Sequence, residues 1–183
     1  MSALDSLYWD SYAQDHSKNY NEEMAKFIRD LVVSLRAQSV LEIGCSAGND
    51  LKLFPQNLDV RGIDVSKVAI EQARKNLPGF SFELGQVDSI PFEGDSVDIV
   101  FTRNLFNHVE SVKVDEMFRI SKKYIFNIEL FSENEQKLGD NPTTYGRNMK
   151  QYWMNYKVKL ISNVDMHEEI DPRKSRFTLL RKV

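Results

Sequence analysis

The segment at residues 40–48 constrains the fold more than any other part of the 183-residue chain. Four mostly apolar residues, Val40-Leu41-Glu42-Ile43, run into a turn of small residues that begins at Gly44 and ends at Gly48. A short apolar run of this kind is typical of a parallel strand that is buried on both faces. The small turn lets a ligand approach backbone N–H groups at the start of the next helix. The pattern therefore predicts a strand, a ligand-binding turn and a helix.

Strand and helix patterns alternate around this segment. Apolar residues recur at intervals of three and four in the helical stretches, and short apolar runs separate those stretches. Such alternation predicts a parallel sheet with helices on both faces. The predicted strands cover residues 40–43, 59–63, 80–84, 97–101 and 124–128, and the predicted helices cover residues 4–16, 21–35, 50–54 and 66–77, with a further helix ending at residues 117–121.

The last third of the chain has a different pattern. Residues 143–156 have helical spacing, and two strand-like runs at residues 158–164 and 177–180 follow with no helix between them. Two neighbouring strands without a crossover helix form an antiparallel hairpin, because a parallel connection needs a longer crossover. We expect this hairpin at one edge of the sheet.

Composition limits the classes of protein to which the chain can belong. The net charge of −3 argues against a broad nucleic-acid surface, which needs a basic domain. One cysteine, Cys45, excludes an internal disulfide and a cysteine-built metal site. The N-terminus lacks a secretory signal pattern, and no apolar run approaches the roughly 20 residues of a spanning helix. We therefore expect a cytoplasmic monomer or weak homodimer with no membrane or metal partner.

The acidic residue Asp64 follows Gly44 by twenty residues, at the end of the second predicted strand. At this spacing a carboxylate contacts the ribose hydroxyls in nucleotide-binding sheets. A nicotinamide dinucleotide site is disfavoured because Ser46 and Asn49 replace two fingerprint glycines and would crowd a pyrophosphate. Residues 44–48 also match the G-x-S-x-G elbow of hydrolases, but this turn follows the first strand, the chain is short for that fold, and Asp64 would have no role. A methyl-donor site has no pyrophosphate and tolerates the serine.

Four motifs in order resemble those of the class I S-adenosylmethionine-dependent methyltransferases. They are residues 40–49, 62–66, 85–92 and 95–101. The resemblance implies one domain with a Rossmann-like α/β fold, a mostly parallel seven-stranded sheet and S-adenosylmethionine as cofactor. A narrower resemblance, to methylases associated with pseudaminic acid biosynthesis, is carried by residues 8–9, 102–109 and 119–129. The expected organisation is an N-terminal helical lid (1–37), a cofactor-binding half (38–130), and an acceptor-side helix with the C-terminal strand pair (131–183).

The resemblance also implies roles for individual residues in cofactor binding. Glu42 and Gly44 are expected at the amino-acid end, Asp64 at the ribose, Val65 at the adenine face, and Gln86 with Val87 at the adenine edge. The remaining residues expected at the cofactor are Tyr12, Cys45, Ser46, Gly48, Arg103 and Asn104. Tyr12 belongs to an aromatic group with Tyr8, Trp9 and Tyr20 that we expect to form a lid.

A sulfonium methyl group is already electrophilic, so the enzyme must align a nucleophile and, where needed, remove a proton. His108 is the candidate general base because its usual pKa is near neutral, and Glu129 at the end of the fifth strand is a second candidate. Four residues of the C-terminal third are expected to contact the acceptor, and the basic run 173–176 is expected to be a solvated turn. The acceptor residues are Tyr145, Arg147, Tyr152 and Trp153.

The expected activity is methyl transfer to a small polar acceptor, of which a sugar or sugar nucleotide is one class. A non-catalytic S-adenosylmethionine-binding module or partner subunit is an alternative, since the chain is small and has no second domain. An RNA or protein methyltransferase is another, and it requires a basic groove beside the cofactor.

Overall fold

A computed structural model describes residues 6–16, 20–138, 144–173 and 175–183. The helices are α1 (Ser6–His16), α2 (Glu22–Ser34), α3 (Lys67–Asn76), α4 (Asp115–Ile120) and α5 (Met149–Trp153). The strands are β1 (Ser39–Ile43), β2 (Asp59–Asp64), β3 (Ser81–Leu84), β4 (Val97–Arg103), β5 (Ser121–Leu130), β6 (Gln136–Lys137), β7 (Tyr145–Gly146), β8 (Val158–Asp165) and β9 (Ser175–Lys182). Among these described residues, no helix combines the length and the apolar character that crossing a membrane requires.

Seven strands form one sheet in the order β3-β2-β1-β4-β5-β9-β8. Strands β1 to β5 are parallel, and β9 pairs antiparallel with both β5 and β8. The predicted mostly parallel sheet with a C-terminal antiparallel pair is confirmed. The strand order changes direction between β1 and β4, and open α/β sheets bind ligands beyond the carboxyl ends of the strands at such a point.

Alternate residues of the central strands contribute to two separate cores, one on each face of the sheet. Val40 of β1 belongs to the core that contains Ile28 of α2 and Ile70 of α3. Its neighbour Leu41 belongs to the core that contains Met117 of α4 and Trp153 of α5. Full burial of an aliphatic side chain contributes about 1.5–3 kcal/mol. The predicted placement of helices on both faces is therefore confirmed.

Polar caps fix the starts of the two helices that border the carboxyl edge of the sheet. The Asn21 side chain accepts a hydrogen bond from Met24 N at 3.0 Å and caps α2. Its amide nitrogen donates to Ile170 O at 2.8 Å, so the same residue ties α2 to the β8–β9 connection. Ser66 caps α3 through Ala69 N at 3.0 Å, as the sequence predicts.

Two predicted helices differ from the structure. The helix predicted for residues 50–54 is a single 3-10 turn at Asn49–Leu51. The helix predicted for residues 143–156 is wrong in its first half, because Tyr145–Gly146 pairs with β6 as a strand and only Met149–Trp153 is helical. Backbone hydrogen bonds explain the second difference: Tyr145 N donates to Asn107 O and Arg147 N donates to Leu130 O, both at 2.8 Å. The predicted ends at Leu4 and Thr143 lie outside the described residues.

Candidate functional site

An open pocket of about 550 Å³ lies over the carboxyl ends of β1, β2 and β4. Its walls include residues 42–46 after β1, 64–66 after β2 and 103–105 after β4, together with 171–173 from the β8–β9 connection. Helix α1 closes one side through Trp9 and Tyr12. The volume lies within the roughly 300–1,000 Å³ of small-molecule sites. The pocket therefore occupies the position at which the strand order predicts a ligand.

The turn after β1 is built from left-handed backbone. Gly44 and Gly48 each have φ 78°, and Ser46 between them has φ 47°. An L residue in this region costs roughly 1–2 kcal/mol, so Ser46 occupies a position that glycine prefers. Gly48 is not among the described pocket-lining residues, and a Cβ there would lie 2.9 Å from Leu77 Cδ1 on the side of α3. Its role at the cofactor stays a prediction.

Asp64 at the end of β2 connects the pocket wall to this turn. Its Oδ2 accepts a hydrogen bond from Ser46 N and its Oδ1 accepts one from Ser66 N, each at 2.9 Å. Burial raises the pKa of Asp64, while the N–H groups of Ser66, Ser46 and Val65 oppose that rise. The carboxylate is consequently fixed in one orientation at the pocket wall.

The pocket floor holds a buried charged cluster of Glu42, Asp50 and Arg103. Arg103 Nε donates to Asp50 Oδ2 in an ion pair with little exposure of either side chain. Burial, followed by the charge of Asp50, raises the pKa of Glu42 well above its usual range, and Arg103 opposes this. A side-chain hydrogen bond between Glu42 and Asp50 adds to this rise, and among the described residues no N–H group donates to the buried Glu42 Oε2 or Asp50 Oδ1. Buried acceptors are normally satisfied, so these two oxygens suit a cationic group of a ligand.

The loop after β4 brings His108 to the pocket beside α1. The His108 ring lies edge-on to Trp9, with 5.5 Å between ring centroids, and 6.5 Å from the Tyr12 ring. Asn104 in the same loop has φ 54° and also lines the pocket. A non-glycine residue held in this region is typical of functional sites.

Asp10 fastens α1 to α3 and was not anticipated from the sequence. Its Oδ1 accepts from the Ser66 hydroxyl at 2.5 Å and from Val68 N at 3.3 Å. The N-terminus of a helix favours negative charge, which stabilises this contact. The partners lie far apart in sequence, so no local pattern could have indicated the contact.

Residues 40–124 match the protein family described as "Methyltransferase domain". The match covers β1 to the start of β5, which are the strands that bear the pocket. This match supports the resemblance to the class I S-adenosylmethionine-dependent methyltransferases. The same resemblance supports S-adenosylmethionine as the cofactor. Among the described residues, no group of three or more His, Cys, Asp and Glu side chains is arranged to hold a metal ion.

Relatives and a solved structure are similar to parts or all of this chain. The chain is 33% identical over 102 residues to an uncharacterized 37.1 kDa protein in transposon TN4556 of Streptomyces fradiae, which is 52% of this chain and 28% of that protein. It is 34% identical over 73 residues to phthiotriol/phenolphthiotriol dimycocerosates methyltransferase 1 of Mycobacterium ulcerans, which is 37% of this chain and 27% of that protein. The chain thus spans under a third of the length of these two relatives. The fold is similar to magnesium protoporphyrin IX methyltransferase of Synechocystis PCC 6803 with bound SAH, at TM-score 0.75 and 11% identity over 96% of this chain and 97% of that one.

Most of the residues expected at the cofactor from the family motifs lie together at the pocket. They are Tyr12, Glu42, Gly44, Cys45, Ser46, Asp64, Val65, Val87, Arg103 and Asn104. Burial raises the pKa of the Cys45 thiol well above its usual range, and the sulfur packs where a Gly62 Cβ would stand. Gln86 differs: it is exposed, bridges to Ser89, and is not among the described pocket-lining residues.

The two candidate bases have different positions. His108 lines the pocket, whereas Glu129 is buried beneath the loop and is not among the described lining residues. Glu129 Oε1 accepts from the Thr102 hydroxyl at 2.7 Å. Burial raises the pKa of Glu129 to about 7, and Thr102 with the N–H groups of three loop residues opposes the rise. The geometry supports His108 as the group that can reach a bound acceptor.

Four residues of the C-terminal third were expected to contact the acceptor, but they do not line the pocket in the described part of the chain. None of Tyr145, Arg147, Tyr152 and Trp153 is among the described lining residues. Arg147 and Trp153 are each 1% exposed, so for these two the expectation is wrong. Arg147 and Trp153 make their contacts inside the protein instead.

The expected solvated turn at residues 173–176 is confirmed for Arg173, whose side chain is 49% exposed in a turn and also lines the pocket, but it is wrong for Ser175, the first residue of β9. Asp171 holds its guanidinium through two hydrogen bonds of 3.0 and 3.1 Å. Arg173 keeps the pKa of Asp171 below its usual range although burial acts to raise it. With its amide oxygen turned towards Arg173, Asn104 accepts from that guanidinium at 2.8 Å. Ser175 is fully buried, and Lys174 lies outside the described residues.

Proposed function

We propose that this chain binds S-adenosylmethionine in the pocket and transfers its methyl group to a small polar acceptor. One observation carries the proposal. A fixed carboxylate on one wall, Asp64, faces the same space as the buried acidic pair Glu42 and Asp50 on the floor. S-adenosylmethionine combines a ribose diol with an ammonium group, and these two sets of acceptors complement both.

The cofactor roles follow from this arrangement. Asp64 accepts hydrogen bonds from the ribose hydroxyls, and Glu42 with Asp50 binds the ammonium of the methionine portion. Val65 and Val87 supply the apolar surface for adenine, and Val87 is 8% exposed. Gln86 at the adenine edge stays a prediction, because an exposed side chain must turn to reach the pocket.

The protein contributes alignment and proton transfer. When bound, the cofactor supplies a methyl group on a positively charged sulfur. Residues of the 103–109 loop align an acceptor oxygen or nitrogen with that carbon. His108 would take the proton from the acceptor as the methyl group is transferred. Trp9 and Tyr12 limit access of water from the side of α1.

A sugar or sugar nucleotide is the acceptor class that we propose. Arg103, Asn104 and Arg173 line the pocket with polar groups, which suits hydroxyl-rich acceptors. The net charge of −3 does not favour a polyanionic strand as acceptor. The narrower resemblance to pseudaminic acid methylases stays a hypothesis within this class.

The test combines cofactor binding with methyl transfer. Calorimetry with S-adenosylhomocysteine is expected to show one site, and labelled S-adenosylmethionine is expected to label a sugar or sugar-nucleotide acceptor from a panel. His108→Ala should reduce the transfer rate about 100-fold or more with cofactor affinity retained. His167→Ala is the matched control, since His167 is exposed in the β8–β9 connection. Binding of nicotinamide nucleotides without S-adenosylhomocysteine binding contradicts the proposal, and cofactor binding without transfer to any acceptor favours the non-catalytic module.

A further inference from the structure

The loop that carries His108 is held from outside the pocket by a buried arginine. We call residues 104–110 the acceptor loop. The Arg147 side chain has no exposed surface, and its Nη1 donates to Phe106 O while its Nη2 donates to Glu110 O at 3.1 Å. Both acceptors are backbone carbonyls of the acceptor loop. Arg147 therefore spans the loop from inside the protein and does not line the pocket.

Further contacts fix the position of Arg147. Its Nε pairs with Glu135 Oε2 at 2.8 Å, and its guanidinium lies 4.4 Å from the centre of the Tyr145 ring. Its backbone N–H donates to Leu130 O at 2.8 Å. A buried guanidinium is tolerated only when its charge and donors are satisfied. The Arg147 contacts with the loop are therefore specific.

Asn107 joins the same loop to the sheet. Its side-chain oxygen accepts from Leu130 N at 2.9 Å, and its backbone oxygen accepts from Tyr145 N at 2.8 Å. Asn107 is 1% exposed, so these hydrogen bonds are shielded from water. These two hydrogen bonds therefore hold the acceptor loop against β5 and β7.

A buried carboxylate faces the loop from the opposite side. The N–H groups of Phe106, Asn107 and Leu105 stabilise the ionised form of Glu129 against burial. Glu129 Oε2 makes no hydrogen bond of normal geometry among the described residues. Arg147 thus binds carbonyls of the loop, while Glu129 attracts its N–H groups.

The carboxylate is held by a chain of buried hydrogen bonds that begins on α5. Trp153 Nε1 donates to Asn127 Oδ1 at 2.8 Å, and Asn127 Nδ2 donates to Thr102 Oγ1 at 2.9 Å. The Thr102 hydroxyl then donates to Glu129. These buried hydrogen bonds fix the position of Glu129 Oε1 relative to β4 and α5.

We propose that Arg147 and Glu129 are positioning residues that preform the acceptor loop, so that His108 is in place before any ligand binds. The role of His108 rests on the proposed function, but the clamp is a property of the protein alone.

Arg147→Lys is the first test. Lysine keeps the positive charge beside Glu135 but cannot bridge two carbonyls with a planar fork. On the protein without cofactor, we expect the amides of His108 and Tyr145 to exchange hydrogen at least tenfold faster, as measured by NMR. The 19F signal of 5-fluorotryptophan at Trp9, which contacts His108 and not Arg147, should shift or broaden.

Arg119→Lys is the matched control. Arg119 also bridges two carbonyls, of Phe92 and Ile90, and pairs with Glu116, but it does so away from the acceptor loop. It should leave the exchange of His108 and the Trp9 signal unchanged.

Glu129→Gln is the second test and decides the question if Arg147→Lys does not fold. At pH 8, above the Glu129 pKa of about 7, it should accelerate exchange in residues 105–107 at least tenfold, whereas Asp98→Asn, at a buried carboxylate near the start of β4, should not. Unchanged loop exchange in the folded variants overturns the proposal, as does acceleration of equal size in β2 and α3, which indicates global loosening. Because no cofactor is present, these results do not depend on whether methyl transfer occurs.

Discussion

At the scale of single residues, Asp64 both orders the turn after β1 and presents a charge to the pocket. Asp64→Asn keeps its size but removes the charge. Hydrogen bonds to a charged group contribute about 1.5–3 kcal/mol, so we expect S-adenosylhomocysteine to bind about tenfold to a hundredfold more weakly in calorimetry. Asp59→Asn, at the exposed end of the same strand, is the control and should bind normally. Unaltered affinity in Asp64→Asn would remove the ribose assignment.

Glu42 predicts a link between cofactor binding and protons. Burial and the charge of Asp50 raise the pKa of Glu42, Asp64 raises it further, and Arg103 opposes the rise. Without a ligand, Glu42 therefore keeps its proton at pH values where an exposed glutamate has lost it. An ammonium group favours the ionised form. Binding of S-adenosylhomocysteine should therefore release a proton, and affinity should increase as pH rises from the usual glutamate pKa towards the raised one.

Calorimetry in two buffers with different ionisation enthalpies measures this release directly. The apparent binding enthalpy should differ between the buffers for the native protein, and the difference should shrink in Glu42→Gln. Equal enthalpies in both buffers for the native protein would show that Glu42 is already ionised in the empty pocket.

At the scale of elements, the docking of α1 predicts how quickly the cofactor leaves. Asp10→Ala removes the contact with the start of α3, which contributes about 0.5–2 kcal/mol. If α1 acts as a lid, S-adenosylhomocysteine should dissociate about two- to thirtyfold faster in stopped-flow fluorescence of Trp9. Asp15→Ala changes an exposed residue of the same helix and should leave the rate unaltered. A native dissociation rate in Asp10→Ala would mean that α1 does not cover the bound cofactor.

The elements of the parallel sheet were predictable because their sequences encode their burial on both faces. Val40 and its neighbours are apolar on both faces and end at a glycine, and Ser66 has the position and side chain of a helix cap. The segment at residues 145–153 was not predictable in this way. The apolar residues of this segment have helical spacing, but the backbone N–H groups of Tyr145 and Arg147 donate to Asn107 and Leu130 instead. Those two hydrogen bonds exist only in the folded protein.

The same distinction applies to the site. Asp64 and Arg103 follow buried strands, so topology alone brings them to one edge of the sheet. Asp50 carried a local signal, an acidic residue in the first turn behind a small-residue loop, which could have been recognised. Asp10 and Arg173 reach the site from the two ends of the chain through tertiary contacts, and no spacing in the sequence indicates them.

At the scale of the whole molecule, buried charge is concentrated at the carboxyl edge of the sheet. Glu42, Asp50, Arg103, Glu129 and Arg147 all lie in or beside the pocket and its loops, whereas the two cores between sheet and helices are apolar. Such groups reduce stability unless they are paired, and strongly perturbed groups cluster where chemistry occurs. The buried charged groups therefore lie where a bound ligand can supply further partners for them.

This concentration predicts how stability depends on pH. Burial raises the pKa of Glu129 from 4.5 to about 7, and the groups that contact it, the Thr102 hydroxyl and backbone N–H groups, are uncharged. Between these values the folded protein binds more protons than the unfolded chain, so the free energy of unfolding falls as pH rises. The stabilisation is complete below pH 4.5 and is lost as pH passes 7. Glu42 acts in the same direction.

Urea unfolding at pH 5 and pH 8 isolates the contribution of Glu129 by comparison with Glu129→Gln. From the shift of its pKa to about 7, the native protein should lose about 2–3 kcal/mol more than the variant between the two pH values. Other carboxylates titrate equally in both proteins and cancel in this comparison. An identical loss in native protein and variant would mean that Glu129 is ionised throughout this range, and the loop N–H groups would then stabilise its charge more strongly than burial opposes it.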